Sequence, residues 1–410
     1  MFRLIAKGWL CAVLVTGQAI AAAPAKPEGQ APAALAAIVA NVVRENPSIA
    51  AAQARLTAAE ARAEGAGLWR NNPEIEYERE SSEVRTETVG VSQTVEWFSK
   101  PAARGRAADS RTESFAREVA IVRQQVIAGV LSGFVLVDQR RAKVELASDR
   151  TQSMSRFAAL SERLFQEGDI SPSAVQAARL AATQAVMEEQ VALIDLSNAE
   201  QELAELAGFA PIAWPSFDTS LPEPLNVDDV DVEQLPSVLA ARFRREAAER
   251  DIDVARWDRV PDPSIGVRWG DEGNSDLFGL SISIPIPVLN SGRSEVAAAR
   301  ADALSAAVDL QAAQRSASIL LRETARRYEA LRSSQVLWQQ SGENALTQQT
   351  DVLQRRLDGG DIGVVEYLVQ LQQLYDAQES SIELQGQAWV AWFQLLQAAG
   401  VVEEWIGVER

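Results

Sequence analysis

The sequence predicts a mainly α-helical chain in which long antiparallel coiled-coil helices alternate with four short β-strands. Three observations carry this. The chain repeats itself at a spacing of about 190 residues. Four segments read as uninterrupted helices, the longest far beyond what a globular domain needs. Four others alternate apolar and polar residues with the period of two that strands require.

The repeat is ordered. Asn46-Pro47-Ser48-Ile49 returns as Leu235-Pro236-Ser237-Val238, and Asn72-Pro73-Glu74-Ile75 as Asp262-Pro263-Ser264-Ile265. Gly90-Val91-Ser92 returns as Gly279-Leu280-Ser281, and Gly168-Asp169-Ile170 as Gly360-Asp361-Ile362. The pattern divides the chain into a leader (1–21), a first repeat (22–210), a Pro- and Asp-rich connector (211–236), a second repeat (237–400) and a tail (401–410).

Arg3 and Lys7 precede a short apolar run, and Ala19-Ile20-Ala21 is a small-x-small cleavage site, so residues 1–21 read as a cleaved signal peptide. Cys11 leaves with it; Leu10 stands where a lipidation signal wants a small residue. Each half is then expected to open with two shorter helices, at 33–45 and 48–69 in the first, punctuated by Pro47.

Strands are expected at 73–80, 87–97, 263–269 and 278–284. Ile75 and Tyr77 oppose Glu74, Glu76, Glu78 and Glu80; Val89, Val91, Val95 and Trp97 share a face. Ile265, Val267 and Trp269 share another, as do Phe278, Leu280, Ile282 and Ile284. Such patterning fits strands of a membrane barrel and also hairpins packed on a soluble core. Trp97, Phe98, Trp269 and Phe278 near strand ends suit the aromatic girdles of a membrane interface. The polar links at 81–86 and 270–276 read as hairpin loops; the second lacks the ligand spacing of a calcium loop.

Long helices are expected at 102–165, 172–206, 294–357 and 364–398, with no proline after the first residue of any. Val119, Val122, Val126, Val130, Phe134 and Val137 step by three and four, the coiled-coil pattern. A helix of about 64 residues extends about 96 Å, the dimension of a tube or rod.

Composition excludes much. The formal net charge is −18, which disfavours nucleic acid and anionic lipid. The chain has no His, and its only cysteine is Cys11, so disulfides, His- or Cys-based metal sites and Ser-His or Cys-His nucleophiles fall away. No catalytic residues and no cofactor are expected. Beyond the leader no stretch reads as a spanning helix. A membrane crossing then requires strands closed into a barrel. The smallest membrane barrels use eight strands, so several chains would have to pool theirs. Closure alone does not set the number; three chains would supply twelve strands and twelve long helices.

The repeat, the strand pairs followed by long helices and the Gly-Asp-Ile turns together resemble the TolC family of outer-membrane efflux proteins, over essentially all of the mature chain. The resemblance implies a homotrimer in outer-membrane lipid, with a twelve-stranded barrel continued by a long periplasmic helical tunnel. It implies a periplasmic membrane-fusion adaptor and an inner-membrane pump as partners. The run Val91-Ser92-Gln93-Thr94-Val95-Glu96-Trp97-Phe98-Ser99-Lys100-Pro101-Ala102-Ala103-Arg104 is similar to the strand-to-helix passage of the CzcC-like branch, which serves heavy-metal export by resistance-nodulation-division pumps. Ser99 and Pro101 depart from that branch, which carries Gly before the Lys and a basic residue after it.

Several site roles follow from the resemblance. Arg163, Gly168, Asp169 and Ile170, with their counterparts Arg355, Gly360, Asp361 and Ile362, fall on the periplasmic tips that meet the adaptor. Asp169, Ser171 and Asp361 are candidate caps for the helices that follow. Glu366 falls at the first of two acidic positions that constrict the family's closed pore; Val369 occupies the second. Glu74, Glu76, Glu78 and Glu80 would line the barrel lumen and favour cations, and the same charges also suit any wet surface. Drug efflux, type I secretion and a soluble periplasmic coiled-coil scaffold are the competing functions.

Overall fold

The computed structural model describes residues 33–81, 85–208 and 220–408. The expected leader and residues 211–219 of the expected connector lie outside them. The first half opens with α1 (Ala33–Glu45) and α2 (Pro47–Ala66). Asn46 divides them. Its side chain accepts from the N–H groups of Ser48 and Ile49, and Pro47 takes the first helical position, where no N–H is needed. The hairpin β1 (Glu74–Ser81) and β2 (Arg85–Thr94) follows, then α3 (Ser99–Glu167) and α4 (Pro172–Ala207). At 69 residues, α3 is about 104 Å long.

The second half runs α5 (Pro236–Asp258), β3 (Ser264–Glu272), β4 (Ser275–Ser283), α6 (Arg293–Leu337), α7 (Glu343–Asp358) and α8 (Val364–Ala399). One π-helical turn, Trp338–Gly342, joins α6 to α7. A Cβ on Gly342 would lie 2.3 Å from Cε3 of Trp338, so the indole packs where a side chain would stand. Two expectations are corrected here. The second half opens with one helix instead of two; before it come two three-residue 3-10 turns, each N-capped by a side chain, Asn226 or Asp231. The tail expected at 401–410 holds a further helix, α9 (Val402–Ile406), whose Trp405 and Ile406 join the main core.

All four strands form one antiparallel sheet in the order β1-β2-β3-β4, and the β2–β3 pairing joins the halves, with Val91 opposite Val267. The loop expected at 270–276 is not a loop. Gly270, Asp271 and Glu272 pair with Leu277, Asp276 and Ser275, leaving a turn of Gly273 and Asn274 alone. Gly273 has φ 61°, the left-handed value that a type II′ hairpin turn reserves for glycine at its first central position. These polar residues are ladder rungs beyond the apolar part of the sheet, which is why composition alone misreads them.

The main core lies where α1, α3, α4, α6, α8 and α9 meet. Phe134, Tyr328, Trp392 and Phe393 are buried there, and the Tyr328 and Trp392 rings lie 5.0 Å apart. Burial pushes the Tyr328 phenol up, and its hydroxyl donates to Pro222 O at 2.5 Å. A second cluster lies at the far end of the long helices, with Met154, Phe157, Leu353, Ile362 and Tyr367; the Phe157 and Tyr367 rings stack at 4.7 Å. The expectation that no stretch is apolar enough to span a bilayer is corrected for α3. It holds an 18-residue window of mean hydropathy 1.7, of which 39% is buried. Ile127, Val130, Leu131, Phe134, Val135 and Val137 of α3 are knobs of the main core, which accounts for the apolar run.

Candidate functional site

The ladder register sorts the sheet into two faces. On one, Ile75, Val91, Val267 and Leu280 form a rung, and Tyr77, Val89, Trp269 and Phe278 the next. On this face the ladder ends toward the hairpin tips in Arg79, Glu87, Asp271 and Asp276. The apolar rungs are uncovered: Ile75 is 80% exposed and Phe278 72%. A contiguous exposed apolar patch of this kind marks a surface that meets protein or lipid. The other face carries Glu74, Glu76, Glu78 and Glu80 on β1, then Ser, Thr and Gly on β2, then Gly266, Arg268, Gly270 and Glu272 on β3. It holds five carboxylates against one guanidinium. The four β1 glutamates thus share one wet face, as the alternation predicts, and the faces oppose oil to water as a barrel wall does.

Below the sheet, the chain enters α3 through a buried set of charges that sequence reasoning did not single out. Arg104 donates to Glu96 twice, at 2.7 and 3.2 Å, and also to the carbonyls of Ala66 and Leu68. Both side chains of the pair are 5% exposed. Burial pushes the Glu96 carboxyl up, but the hydrogen bonds and charge of Arg104, with the Arg70 N–H, outweigh it and hold the group below its ordinary range. Lys100 donates to Asp262 at 2.7 Å and to Val260 O at 2.5 Å, tying α3 to the entry of β3. Trp97 donates to Pro261 O at 3.0 Å. The signal available was three charges, Glu96, Lys100 and Arg104, spaced by four within a stretch that also carries Trp97, Phe98 and Pro101. Long charged side chains are seldom buried unpaired, but Asp262 stands too far along the chain to be assigned as partner without coordinates.

The two turns at the opposite end are built alike. Gly168 (φ 87°) and Gly360 (φ 74°) adopt the left-handed conformation. In each, the glycine N–H donates three residues back, to Phe165 O or Leu357 O. The aspartate N–H donates five residues back, to Leu164 O or Arg356 O. Both are Schellman terminations. Asp169 and Asp361 therefore close the preceding helix and do not cap the following one, a correction. Ser171 caps α4, accepting from Ala174 N at 3.3 Å, whereas α8 starts at Gly363 with no side-chain cap. Ile362 is buried in the tip cluster and Ile170 packs against it. Arg163, Asp169, Arg355 and Asp361 are exposed. Glu366, in the first turn of α8, is exposed too; Arg356 stands 3.6 Å away and Gln370 donates to it at 3.2 Å. No group of three or more His, Cys, Asp or Glu suited to a metal ion occurs among the described residues.

Residues 232–401, which run from the last 3-10 turn through α8, match the family model described as outer membrane efflux protein. This segment of the second half is similar to outer membrane efflux proteins. The cobalt-zinc-cadmium resistance protein CzcC of Cupriavidus metallidurans is 27% identical over 229 residues, covering 53% of this chain and 54% of that protein. The match thus spans about half the length of its curated relative. Among solved structures, the outer membrane protein VceC of Vibrio cholerae superposes with TM-score 0.75 at 20% identity, covering 90% of this chain and 96% of that one. CusC gives TM-score 0.74 at 16% identity, covering 89% and 91%. A membrane protein of Pseudomonas aeruginosa gives 0.78 at 17%, covering 90% and 91%. At these identities the structures speak for the fold alone. They extend the likeness in fold beyond residues 232–401 to both halves of the chain.

Within the matched residues lie β3, β4, the second tip and Glu366; β1 with its glutamates and the Glu96–Arg104 pair lie before them. Arg268 also escaped the sequence reading. Its cross-strand neighbours Gly90 and Gly279 leave space beside it. That pattern, a single cation between glycines on an otherwise acidic face, can be recognised only once the register is known.

Proposed function

We propose that the chain is the outer-membrane exit duct of a tripartite efflux system, delivered by a signal peptide at 1–21 and assembled as a homotrimer. The observation that carries this is the sheet. Its apolar face is bare, its opposite face is acidic, both edges are unpaired, and helices of up to 69 residues lead away from it. Lipid cannot tolerate unpaired strand edges, so four strands of this kind cross a membrane only by pooling with further copies. Twelve strands close a barrel whose lumen carries the glutamates of β1.

Cargo and partners follow from the relatives. Similarity to a cobalt-zinc-cadmium resistance protein supports heavy-metal cations as cargo, with a resistance-nodulation-division pump and a periplasmic adaptor completing the system. The acidic face favours cations by raising their local concentration. Without His or Cys in its mature part, the duct conducts the ion and leaves selection to the pump. The paired Schellman turns, repeated in three copies, give a six-fold ring of tips for the adaptor. Glu366 narrows the pore beside them, with Arg356 neutralising part of its charge.

Fractionating inner from outer membranes and measuring native mass in mild detergent tests this reading. A trimer from the outer membrane is expected. A soluble periplasmic monomer would replace the duct with a coiled-coil scaffold.

A further inference from the structure

The sheet ends in two bare strands with unequal polar faces. β1 carries carboxylates at 74, 76, 78 and 80, whereas β4 presents Ser275, Leu277, Gly279, Ser281 and Ser283. The one cation of this face, Arg268, leans toward β4. A Cβ on Gly279 would meet Arg268 Nε at 2.8 Å and Cγ at 3.0 Å; one on Gly90 would meet only Arg268 Cβ, at 3.5 Å. The side chain thus crosses the bare α-carbon of Gly279 toward the outer edge of the sheet. It is exposed, and no ion pair to it is formed among the described residues.

We propose that Arg268 forms an ion pair across the subunit boundary with Glu80 of the next copy, fixing the register in which the barrel closes. The inference rests on the duct reading and deepens it. With four strands per copy, β4 runs antiparallel to β1 of the next, and polar faces must meet, so Gly279 can oppose only an even position of β1. Strand tilts of about 35–45° in a twelve-stranded barrel correspond to a stagger of about four to six residues per copy. Backbone chirality gives its sense. Val95 N donates to Pro263 O, and Arg85 O accepts from Gly273 N, so odd positions of β2 bond toward β3. With the apolar face outward and the strands coiled in the usual right-handed sense, the stagger then raises the number of the β1 partner. Within one copy Gly279 is level with Arg268, Gly90 and Glu76. About four residues further along β1 is Glu80, directly opposite Gly279; at the larger stagger Glu80 is one diagonal step away, within reach of an arginine.

The test is dissociation of the detergent-extracted trimer on heating, followed by native mass, for Arg268→Gln, Arg268→Glu, Glu80→Arg and the double variant Arg268→Glu/Glu80→Arg. Three partly exposed pairs per ring are together worth about tenfold in dissociation. Each single variant should therefore dissociate about tenfold more readily, and the double reversal should recover most of the loss. Gly279→Val keeps both charges but blocks the path of the side chain. Valine otherwise favours strands, so a loss equal to that of Arg268→Gln marks the path as the cause. Circular dichroism matching the native chain separates these effects from misfolding. Single variants as stable as the native trimer, or a double variant no better than the singles, would overturn the pair while leaving the duct intact. A native protein that is monomeric would sink the duct reading and the pair with it.

Discussion

Replacing Arg104 with alanine leaves a carboxylate stranded at the base of the sheet. Glu96 is 5% exposed and loses both guanidinium hydrogen bonds, and the carbonyls of Ala66 and Leu68 lose their donor as well. Only the Arg70 N–H, at 3.4 Å, remains to Glu96. Removing one partner of a buried pair costs about 3–5 kcal/mol, because the other charge stays buried without compensation. For a chain of 410 residues, an unfolding entropy of about 2.1 cal/mol/K per residue gives about 0.9 kcal/mol/K, so the midpoint should fall by about 3–6 °C.

A thermal melt followed by circular dichroism in detergent measures this. The internal control is Arg256→Ala, which breaks a pair with Asp253 at 2.9 Å whose side chains are 55% and 50% exposed. That loss should stay below about 1 kcal/mol, or about 1 °C. The double variant Glu96→Leu/Arg104→Met removes both charges together and should regain much of the loss. If Arg104→Ala melts within a degree of Arg256→Ala, the buried pair is not what secures the junction, and the reasoning from burial fails.

Acid should erode the same contact. The Glu96 carboxyl is held below its ordinary value of 4.5, so its contribution is complete above that pH and is lost as pH falls through the lowered value. The melting advantage of the native chain over Glu96→Gln should accordingly be flat above about pH 4.5 and shrink below it. Lys143 runs the other way: burial lowers it, but the hydrogen bonds it donates to Glu383 and Glu379, with their charges, outweigh this and raise it above 10.5. Its advantage over Lys143→Met should be full below that pH and vanish only as pH rises through the raised value. Gly168→Ala and Gly360→Ala place a Cβ in open space but at positive φ, so each should cost about 1–2 kcal/mol, read as faster proteolysis at the tips. Glu366→Ala should leave the melting temperature within about 1 °C, since its side chain is 56% exposed, yet alter single-channel conductance and block by divalent cations; unchanged conduction would remove Glu366 from the gate.

Helices were legible where chemistry punctuates them. Pro172, Gly168, Gly208 and Gly400 bound the long segments, and all three glycines take the positive φ that a helix end selects. Strand faces were legible because a period of two survives any register. What stayed hidden depended on distance along the chain. The polar run at 270–276 looks like a loop until its partners show it to be the outer rungs of β3 and β4. Asp169 and Asp361 are good capping residues by type, but a Schellman ending uses their N–H groups and leaves the capping position to Ser171 or Gly363. The apolar window of α3 is 39% buried, its core part packing with residues of α1 and α8, and nothing local distinguishes that from a spanning helix.

The placement of charge on the sheet is itself an argument for assembly. Carboxylates two positions apart on one strand lie about 7 Å from one another, and a run of four repels itself. On an inner strand such a run would face further side chains on both flanks. On β1 it stands at an edge, opposite only Ser92, Gly90, Thr88 and Thr86 on its paired side. The vacant flank is where relief must come from. The sole cation of the face is directed away from that edge, across β4. Within one copy, therefore, attraction between Arg268 and the β1 carboxylates is frustrated by the intervening strand β2 and by the course of the side chain across β4. The proposed closure of the sheet into a ring of copies would bring the two edges together and convert the same charges from a repulsive strand and a lone cation into complementary borders.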